Sequence, residues 1–348
     1  MTKLGWGILG TGMIARTLAK AINESQTGQL VAVASRSQAT ADKFGEEFKV
    51  ARRYASYEAL LADKDVAAVY ISLPNHLHAE WTIKCAKAGK HILCEKPFTI
   101  NHAEAMAVIE AVRACDVFLM EAFMYRCHPQ TARLLELLRS GVIGEVRMIE
   151  AHFGFNMGQN LGNIRLQNEA AGGAIMDVGC YCMSLSRLVA GAEPVEIKGV
   201  AHIGAASRVD EYATAAVKFP GNILANLTCG CQVNMDNTFR VWGSTGHILV
   251  PNPWLPGTTP DAAKIIINRD GQPSETISVP GNAGLYALEV DLVAQHLAAR
   301  QAPPPAITWD DTIGNMRALD LWRASAGMVF DAEKPTATTP PSRPAASR

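Results

Sequence analysis

The sequence predicts an α/β fold with two parts: a doubly wound parallel sheet at the N-terminus, then an α/β domain built on an open, mainly antiparallel sheet. Three observations carry that prediction. From Leu4 to about Ala122, short apolar runs alternate with amphipathic stretches, as repeated strand-helix units require. A glycine turn, Gly10-Thr11-Gly12, joins the first apolar run to the first amphipathic stretch. From Val146 onward, apolar runs recur with few helices between them, the texture of strands joined by hairpins.

In the first part, Gly5–Leu9 reads as a strand followed by a helix from Met13, and Leu30–Ala34 as a strand followed by a helix from Ala39. Val66–Leu73, His91–Cys94 and Val117–Met120 are further buried strands. In the second part, a helix over Pro129–Ser140 is ended by Gly141, and one over Asp177–Val189 is ended by Gly191. Val146–Phe155, Val195–Ile203, Ala213–Phe219, Leu224–Val233, His247–Val250 and Lys264–Ile267 read as strands, with closing helices near Tyr286–Ala299 and Asp310–Phe330. The boundary falls near residue 123, so residues 1–123 form one domain and 124–332 the other. Residues 333–348, rich in Pro, Thr and Ser, lack apolar periodicity and read as a flexible tail.

Composition narrows the function classes. The chain has 348 residues, 48% hydrophobic and 19% charged, with a formal net charge of -1, which fits a two-domain globular protein. No basic block offers a surface to nucleic acid. No window approaches the roughly 18 apolar residues that cross a bilayer, and the N-terminus carries no cleavage-site pattern, so a cytoplasmic location is expected. The eight cysteines include no C-x-x-C knuckle and read as reduced, buried thiols. His76 and His78 lack a third ligand, so no metal site is expected.

Gly10-Thr11-Gly12-Met13-Ile14-Ala15 follows a strand and opens a helix, the context in which glycines bind a dinucleotide. Gly10 makes the tight turn, Gly12 lets a pyrophosphate approach the backbone, and the helix N-terminus offers unpaired N–H groups. This is the signature of a Rossmann domain. About 25 residues after Gly10, where an acidic residue would hold the 2'-hydroxyl of NAD, the chain reads Ala34-Ser35-Arg36-Ser37. Ser35 and Arg36, with Lys43 nearby, therefore predict NADP(H).

Glu95-Lys96-Pro97 follows a buried strand whose carboxyl end should face the nicotinamide, which makes Lys96 a candidate catalytic residue. Asp177 and Tyr181 are four residues apart at the start of a helix and should project from one face. Tyr181 reads as the proton shuttle, its pKa lowered by the Lys96 ammonium, and Asp177 as the group that orients it. Leu73, Pro74, Asn75 and His78, after the third clear strand, together with Glu95 and Lys96, are expected along the cofactor. Tyr125, Arg126 and His128, near the domain junction, are expected at the substrate. Side chains from Asn156–Gln167 and Asn252–Thr259 should set specificity.

With these motifs assembled, the chain resembles the glucose-fructose oxidoreductase/inositol dehydrogenase (Gfo/Idh/MocA) family over nearly its whole length. The glycine fingerprint, Pro74-Asn75-x-x-His78, Ala88-Gly89-Lys90-His91 before Glu95-Lys96-Pro97, and Gly172-Gly173-x-x-x-Asp177-x-Gly179-x-Tyr181 stand in the family's order. The resemblance implies a catalytic Lys96 assisted by Asp177 and Tyr181. It implies a second domain whose sheet faces the nicotinamide on one side and pairs subunits on the other, giving a homodimer or homotetramer. Many relatives carry His where this chain has Tyr181. Tyrosine there is similar to the branch with glucose-fructose oxidoreductase, NADP-dependent xylose dehydrogenase and dihydrodiol dehydrogenase. The chain starts at its first strand, without the export signal and cofactor-retaining arm of the first of these, which implies exchangeable NADP.

The expected reaction is reversible hydride transfer between NADP(H) and a carbinol or carbonyl carbon of a sugar or polyol. The alternatives are a trans-dihydrodiol or cyclic ketone as substrate, and a cofactor-binding protein without turnover.

Overall fold

The apolar runs of the first part form strands buried largely on both faces, so they carry no polar alternation, and a short half-buried edge strand, Arg52–Tyr54, joins them. In the computed structural model, which describes residues 3–158, 160–257, 263–281 and 284–334, they are β1 (Leu4–Leu9), β2 (Gly28–Ala34), β3 (Arg52–Tyr54), β4 (Ala68–Ile71), β5 (His91–Cys94) and β6 (Leu119–Glu121). They pair in parallel in the order β3-β2-β1-β4-β5-β6. The crossovers contain α1 (Met13–Glu24), α2 (Gln38–Phe48), α3 (Tyr57–Leu61), α4 (His78–Lys87) and α5 (His102–Ala114). Ile8, Val33, Val69, Ile92 and Leu93 are wholly buried between the helical layers. The strand order reverses between β1 and β4, and at such a switch point the loops leaving the two carboxyl ends part to open a crevice.

The second part contains α6 (Met124–Cys127), α7 (Pro129–Arg139) and β7 (Val146–Gly154). A π-helical turn, Ile175–Gly179, runs directly into α8 (Cys180–Ala190). Then follow β8 (Glu196–Ile203), β9 (Asp210–Lys218), β10 (Leu224–Gly230), β11 (Phe239–Gly243), β12 (Gly246–Val250), β13 (Lys264–Arg269), β14 (Glu275–Ser278), α9 (Leu285–His296) and α10 (Trp309–Ser325). The strands order as β14-β13-β12-β11-β7-β10-β9-β8, antiparallel except at β7 and β10. The predicted open, mainly antiparallel sheet is therefore present, with two strands, β11 and β14, that the sequence reading did not separate.

One face of this sheet is covered by α8 and α10. The register places Met148, Val200, Tyr212 and Leu224 together on the opposite face, where all four are exposed. The two closing helices tie the halves together: α9 packs on α1, and α10 packs on α5 and on β8. The helix expected to reach Phe330 stops at Ser325, because Gly327 adopts a left-handed conformation, φ 74°, which ends helices. The tail expected from residue 333 overlaps the described residues only at Glu333 and Lys334. The Glu333 carboxylate takes hydrogen bonds from Arg323, at 2.8 and 2.9 Å, and sits in a turn over Asp331–Glu333. Residues 335–348 lie outside the described residues. Among the described residues no helix is long and apolar enough to cross a membrane.

Candidate active site

The glycine turn after β1 is shaped for an anion. Gly10 has φ 101°, and a Cβ there would lie 2.8 Å from Ser72 Oγ, so both backbone and space demand glycine. A Cβ on Gly12 would meet nothing within 4 Å, leaving the approach to α1 open, and no side chain caps that helix. Its first N–H groups, beside Thr11, Gly12 and the exposed Met13, are free to bind phosphate. Ile14, one residue on, lines the cleft that begins here. At the end of β2, Ser35 is buried with its hydroxyl bonded to Thr40 Oγ1, while Arg36 and, on α2, Lys43 are exposed. No carboxylate stands between Ser35 and Ser37, so the residues present fit a 2'-phosphate.

The cleft continues between the carboxyl ends of β4 and β5 and the π-helical turn. Leu73, Asn75, His78, Glu95, Lys96, Asp177 and Tyr181 all line it, together with Ile14. Lys96 Nζ donates to Asp177 Oδ1 at 3.0 Å and to the Asp177 carbonyl at 2.8 Å. Arg165 Nε donates to Asp177 Oδ2 at 2.6 Å. Burial opposes charge on both partners of the Lys96–Asp177 pair. Mutual attraction outweighs it, raising the lysine pKa and, with Arg165, lowering that of the carboxyl.

Tyr181 differs from expectation. Lys96 Nζ lies 5.1 Å from the centre of its ring, over the π face, whereas the hydroxyl points to Met124 Sδ at 3.5 Å. Phe123, Phe153 and Trp254 surround the ring, and burial pushes the phenol well above its ordinary pKa. The expected lowering by Lys96 is thus corrected: the ammonium is committed to Asp177, and desolvation dominates.

His78 plays a supporting part. Its ring is buried, with Nδ1 2.8 Å from the Pro97 carbonyl and Nε2 2.7 Å from the Leu73 carbonyl. Burial lowers its pKa to about 4, so the ring is neutral and donates to one of the two. Pro74 precedes the short turn Asn75–Leu77. Asn75 reaches across to the second domain, donating to the Ala171 carbonyl at 2.8 Å.

Three residues expected at the substrate are not in the cleft. The chain turns inward after Phe123, so Arg126 is 1% exposed and spends its guanidinium on Asp311, Ser184 and the Pro305 carbonyl. His128 caps α7, accepting from Gln130 N–H at 3.1 Å. Tyr125 donates to Ser184 Oγ and packs behind Tyr181, ring centres 5.7 Å apart. These side chains shape the wall without reaching its surface.

The sequence reading missed Met124, Phe153 and Tyr286 and gave Arg165 only as part of the Asn156–Gln167 loop; all four line the cleft. Ile164, Arg165 and Leu255 come from the two loops expected to set specificity, of which residues 159 and 258–259 lie outside the described residues. The glycine pair explains how Arg165 is placed. A Cβ on Gly172 would lie 2.5 Å from the Ile164 carbonyl oxygen, and Gly173, at φ 103°, donates its N–H to the Arg165 carbonyl at 2.8 Å. Only glycines allow the loop to seat so closely against the π-helical turn that leads into α8.

Residues 4–123 match the oxidoreductase family with an NAD-binding Rossmann fold, and residues 131–249 match the GFO/IDH/MocA C-terminal domain. The chain belongs to the Gfo/Idh/MocA oxidoreductase family. Within it, the chain is 34% identical to a D-xylose 1-dehydrogenase (NADP(+)) of Haloferax volcanii, over 92% of this chain and 97% of that one. It is 34% identical to the trans-1,2-dihydrobenzene-1,2-diol dehydrogenase of Mus musculus, over 73% of this chain and 76% of that one. Among solved structures, KijD10, a 3-ketoreductase from Actinomadura kijaniata in complex with NADP and TDP-benzene, superposes with a TM-score of 0.84 at 29% identity, covering 93% of this chain and 98% of that one. The family resemblance read from the motifs is therefore correct, and so is the predicted pairing of a Rossmann domain with an open second sheet.

Proposed function

We propose that this Gfo/Idh/MocA protein is an NADP(H)-dependent oxidoreductase acting on a sugar or sugar-like polyol, through Lys96, Asp177 and Tyr181. The observation that carries the reading is the Lys96–Asp177 pair beside Tyr181, in a cleft continuous with the glycine turn. NADP(H), when bound, supplies or takes the hydride. The amides from Gly10 to Ile14 would hold its pyrophosphate, and Ser35 and Arg36 its 2'-phosphate.

The protonation states favour one direction at neutral pH. Lys96 is held as an ammonium and Tyr181 as a neutral phenol, so both carry a proton in the cleft where reduction of a carbonyl would need one. Lys96 stabilises the developing negative charge, Tyr181 delivers the proton, and Asp177 holds the lysine in place. In the reverse direction the phenol must first ionise, which slows oxidation at neutral pH. NADPH absorbance with a panel of aldoses, keto-sugars and dihydrodiols tests the reading; turnover of sugars is expected, and NADP binding without turnover of any of them would refute it. A second reading, a dihydrodiol or cyclic ketone, draws support from the apolar wall of Phe153, Phe155, Ile164 and Leu255, and the same panel separates the two.

Cofactor choice has its own test. Ser35→Asp with Arg36→Ala places a carboxylate against the 2'-phosphate and removes its cation. The NADP-to-NAD ratio of kcat/KM is expected to fall by about tenfold or more, equivalent to about 1.4 kcal/mol. An unchanged ratio means the phosphate is held elsewhere.

The exposed face of the second sheet, with Val200, Tyr212, Leu224 and Met148, supports pairing with a second copy of the chain, as dimer or tetramer. Light scattering should show at least a dimer, and Val200→Asp with Tyr212→Glu should lower the mass. A wild-type monomer at micromolar concentration would exclude the pairing.

A further inference from the structure

Lys96 is held through its backbone as well as through Asp177. In the turn leaving β5, the Lys96 N–H donates to Glu95 Oε2 at 3.2 Å, the Pro97 carbonyl meets His78 Nδ1 at 2.8 Å, and the Phe98 N–H donates to Glu121 Oε1 at 2.9 Å. Glu121 closes β6 and is 2% exposed. Its second oxygen, Oε2, is bonded to the Thr312 hydroxyl of α10 at 2.9 Å, and Thr312 is buried as well. One buried carboxyl thus bridges the turn behind the lysine and a helix that packs on the second sheet. Neither Glu121 nor Thr312 lines the cleft.

We propose that Glu121 is a positioning residue, fixing the Lys96–Phe98 turn, and with it the Lys96 ammonium, to α10 across the domain junction. The proposal rests on Lys96 being catalytic. The chemistry of the group suits the task. Burial raises the carboxyl to about 8 against the opposing bonds from Thr312 and Phe98, with Arg187 lowering it and Glu95 adding to the rise. Cys94 and Cys180 are the other titratable side chains that feel it. Its Oε1 accepts from the Phe98 N–H and its Oε2 accepts from the Thr312 hydroxyl, and an apolar side chain of the same shape could do neither. Removing it leaves a buried N–H and a buried hydroxyl unpaired and frees the turn.

Glutamine keeps an acceptor for the Phe98 N–H and sets an amide against Thr312 Oγ1, whose hydroxyl can turn to accept from it, which makes the rescue diagnostic. In Glu121→Ala, the Phe98 amide should exchange with deuterium at least about tenfold faster than in the wild type. The kcat should fall by about tenfold to a hundredfold, as expected when a catalytic group drifts by about an ångström, while the Kd for NADPH moves by less than about threefold. Glu121→Gln should restore both the protection and the kcat. Thr312→Val should weaken protection in the same direction, and its effect should not add to that of Glu121→Ala; it also carries the test if the alanine variant fails to fold. Unchanged Phe98 protection in a folded Glu121→Ala protein, or a glutamine variant as impaired as alanine, overturns the proposal. If the wild type turns over no polyol, the functional reading fails, and hydrogen exchange still decides whether Glu121 fixes the turn.

Discussion

Lys96→Ala is expected to lower kcat/KM by about a hundredfold or more while the Kd for NADPH changes by less than about threefold. The lysine is the ammonium nearest the Tyr181 ring and donates twice to Asp177, so on the proposed mechanism its loss removes the charge that would meet the developing alkoxide. Deleting one partner of a buried ion pair usually destabilises a fold by about 3–5 kcal/mol, because the other charge is stranded. Here Arg165 still faces Asp177, so the loss of stability should be smaller than that and the variant should remain folded. Lys96→Arg should not rescue the rate, since a planar guanidinium cannot reproduce a point charge on a flexible stem. Steady-state kinetics alongside a melting curve decide the matter. Near-normal turnover in a folded Lys96→Ala protein would end the assignment of this lysine to the chemistry.

The sign of the pKa shifts places the pair outside the neutral pH profile. Asp177 is lowered below its ordinary 3.8, so its contribution to stability is present above that pH and is lost as pH falls through the lowered value. Lys96 is raised above 10.5, so its contribution is present below that pH and is lost as pH rises through the raised value. Across the neutral range the pair stays intact, and any pH dependence of turnover there must come from another group.

Which parts of the site were legible in the sequence follows from what fixes each of them. Gly10, Gly12, Lys96 and Asp177 sit where strand ends and helix starts dictate position, and short local patterns encode that directly. Arg165 was not legible, because it reaches Asp177 from a loop whose path depends on Gly172 and Gly173 packing against it. Arg126 and His128 were misplaced for a related reason. Both follow a strand of the parallel sheet, but the chain folds inward there, and polar partners distant in sequence, Asp311 and Pro305 among them, claim the guanidinium. The strand β3, Arg52–Tyr54, was hidden because a three-residue edge strand has no periodicity to show, and its Arg52 pairs outward with Asp63. The Tyr181 environment illustrates the same limit in electrostatics. Two motifs expected at one site suggest that the lysine lowers the tyrosine pKa, whereas the outcome depends on which way the hydroxyl points and what surrounds it.

That environment makes Tyr181→Phe the sharper experiment. The ring packs against Phe123, Phe153 and Trp254, and a phenylalanine keeps all of those contacts. The hydroxyl has one weak partner, the Met124 sulfur, so removing it should change stability by no more than about 0.5 kcal/mol. Carbonyl reduction should nevertheless fall by about a hundredfold to ten-thousandfold in kcat, since the proton then has to come from water or from the Lys96 ammonium, which is committed to Asp177. A large loss of rate with an unmoved melting temperature is a combination that mispacking does not produce. The wild-type pH profile gives an independent reading of the same hydroxyl. With the phenol held above its ordinary value by burial, reduction should stay flat through neutral pH, whereas oxidation, which consumes the phenolate, should keep climbing well into the alkaline range. An oxidation rate that levels off below pH ~8 would assign the base to another group, and a Tyr181→Phe protein that keeps the wild-type alkaline climb would remove the tyrosine from the proton path altogether.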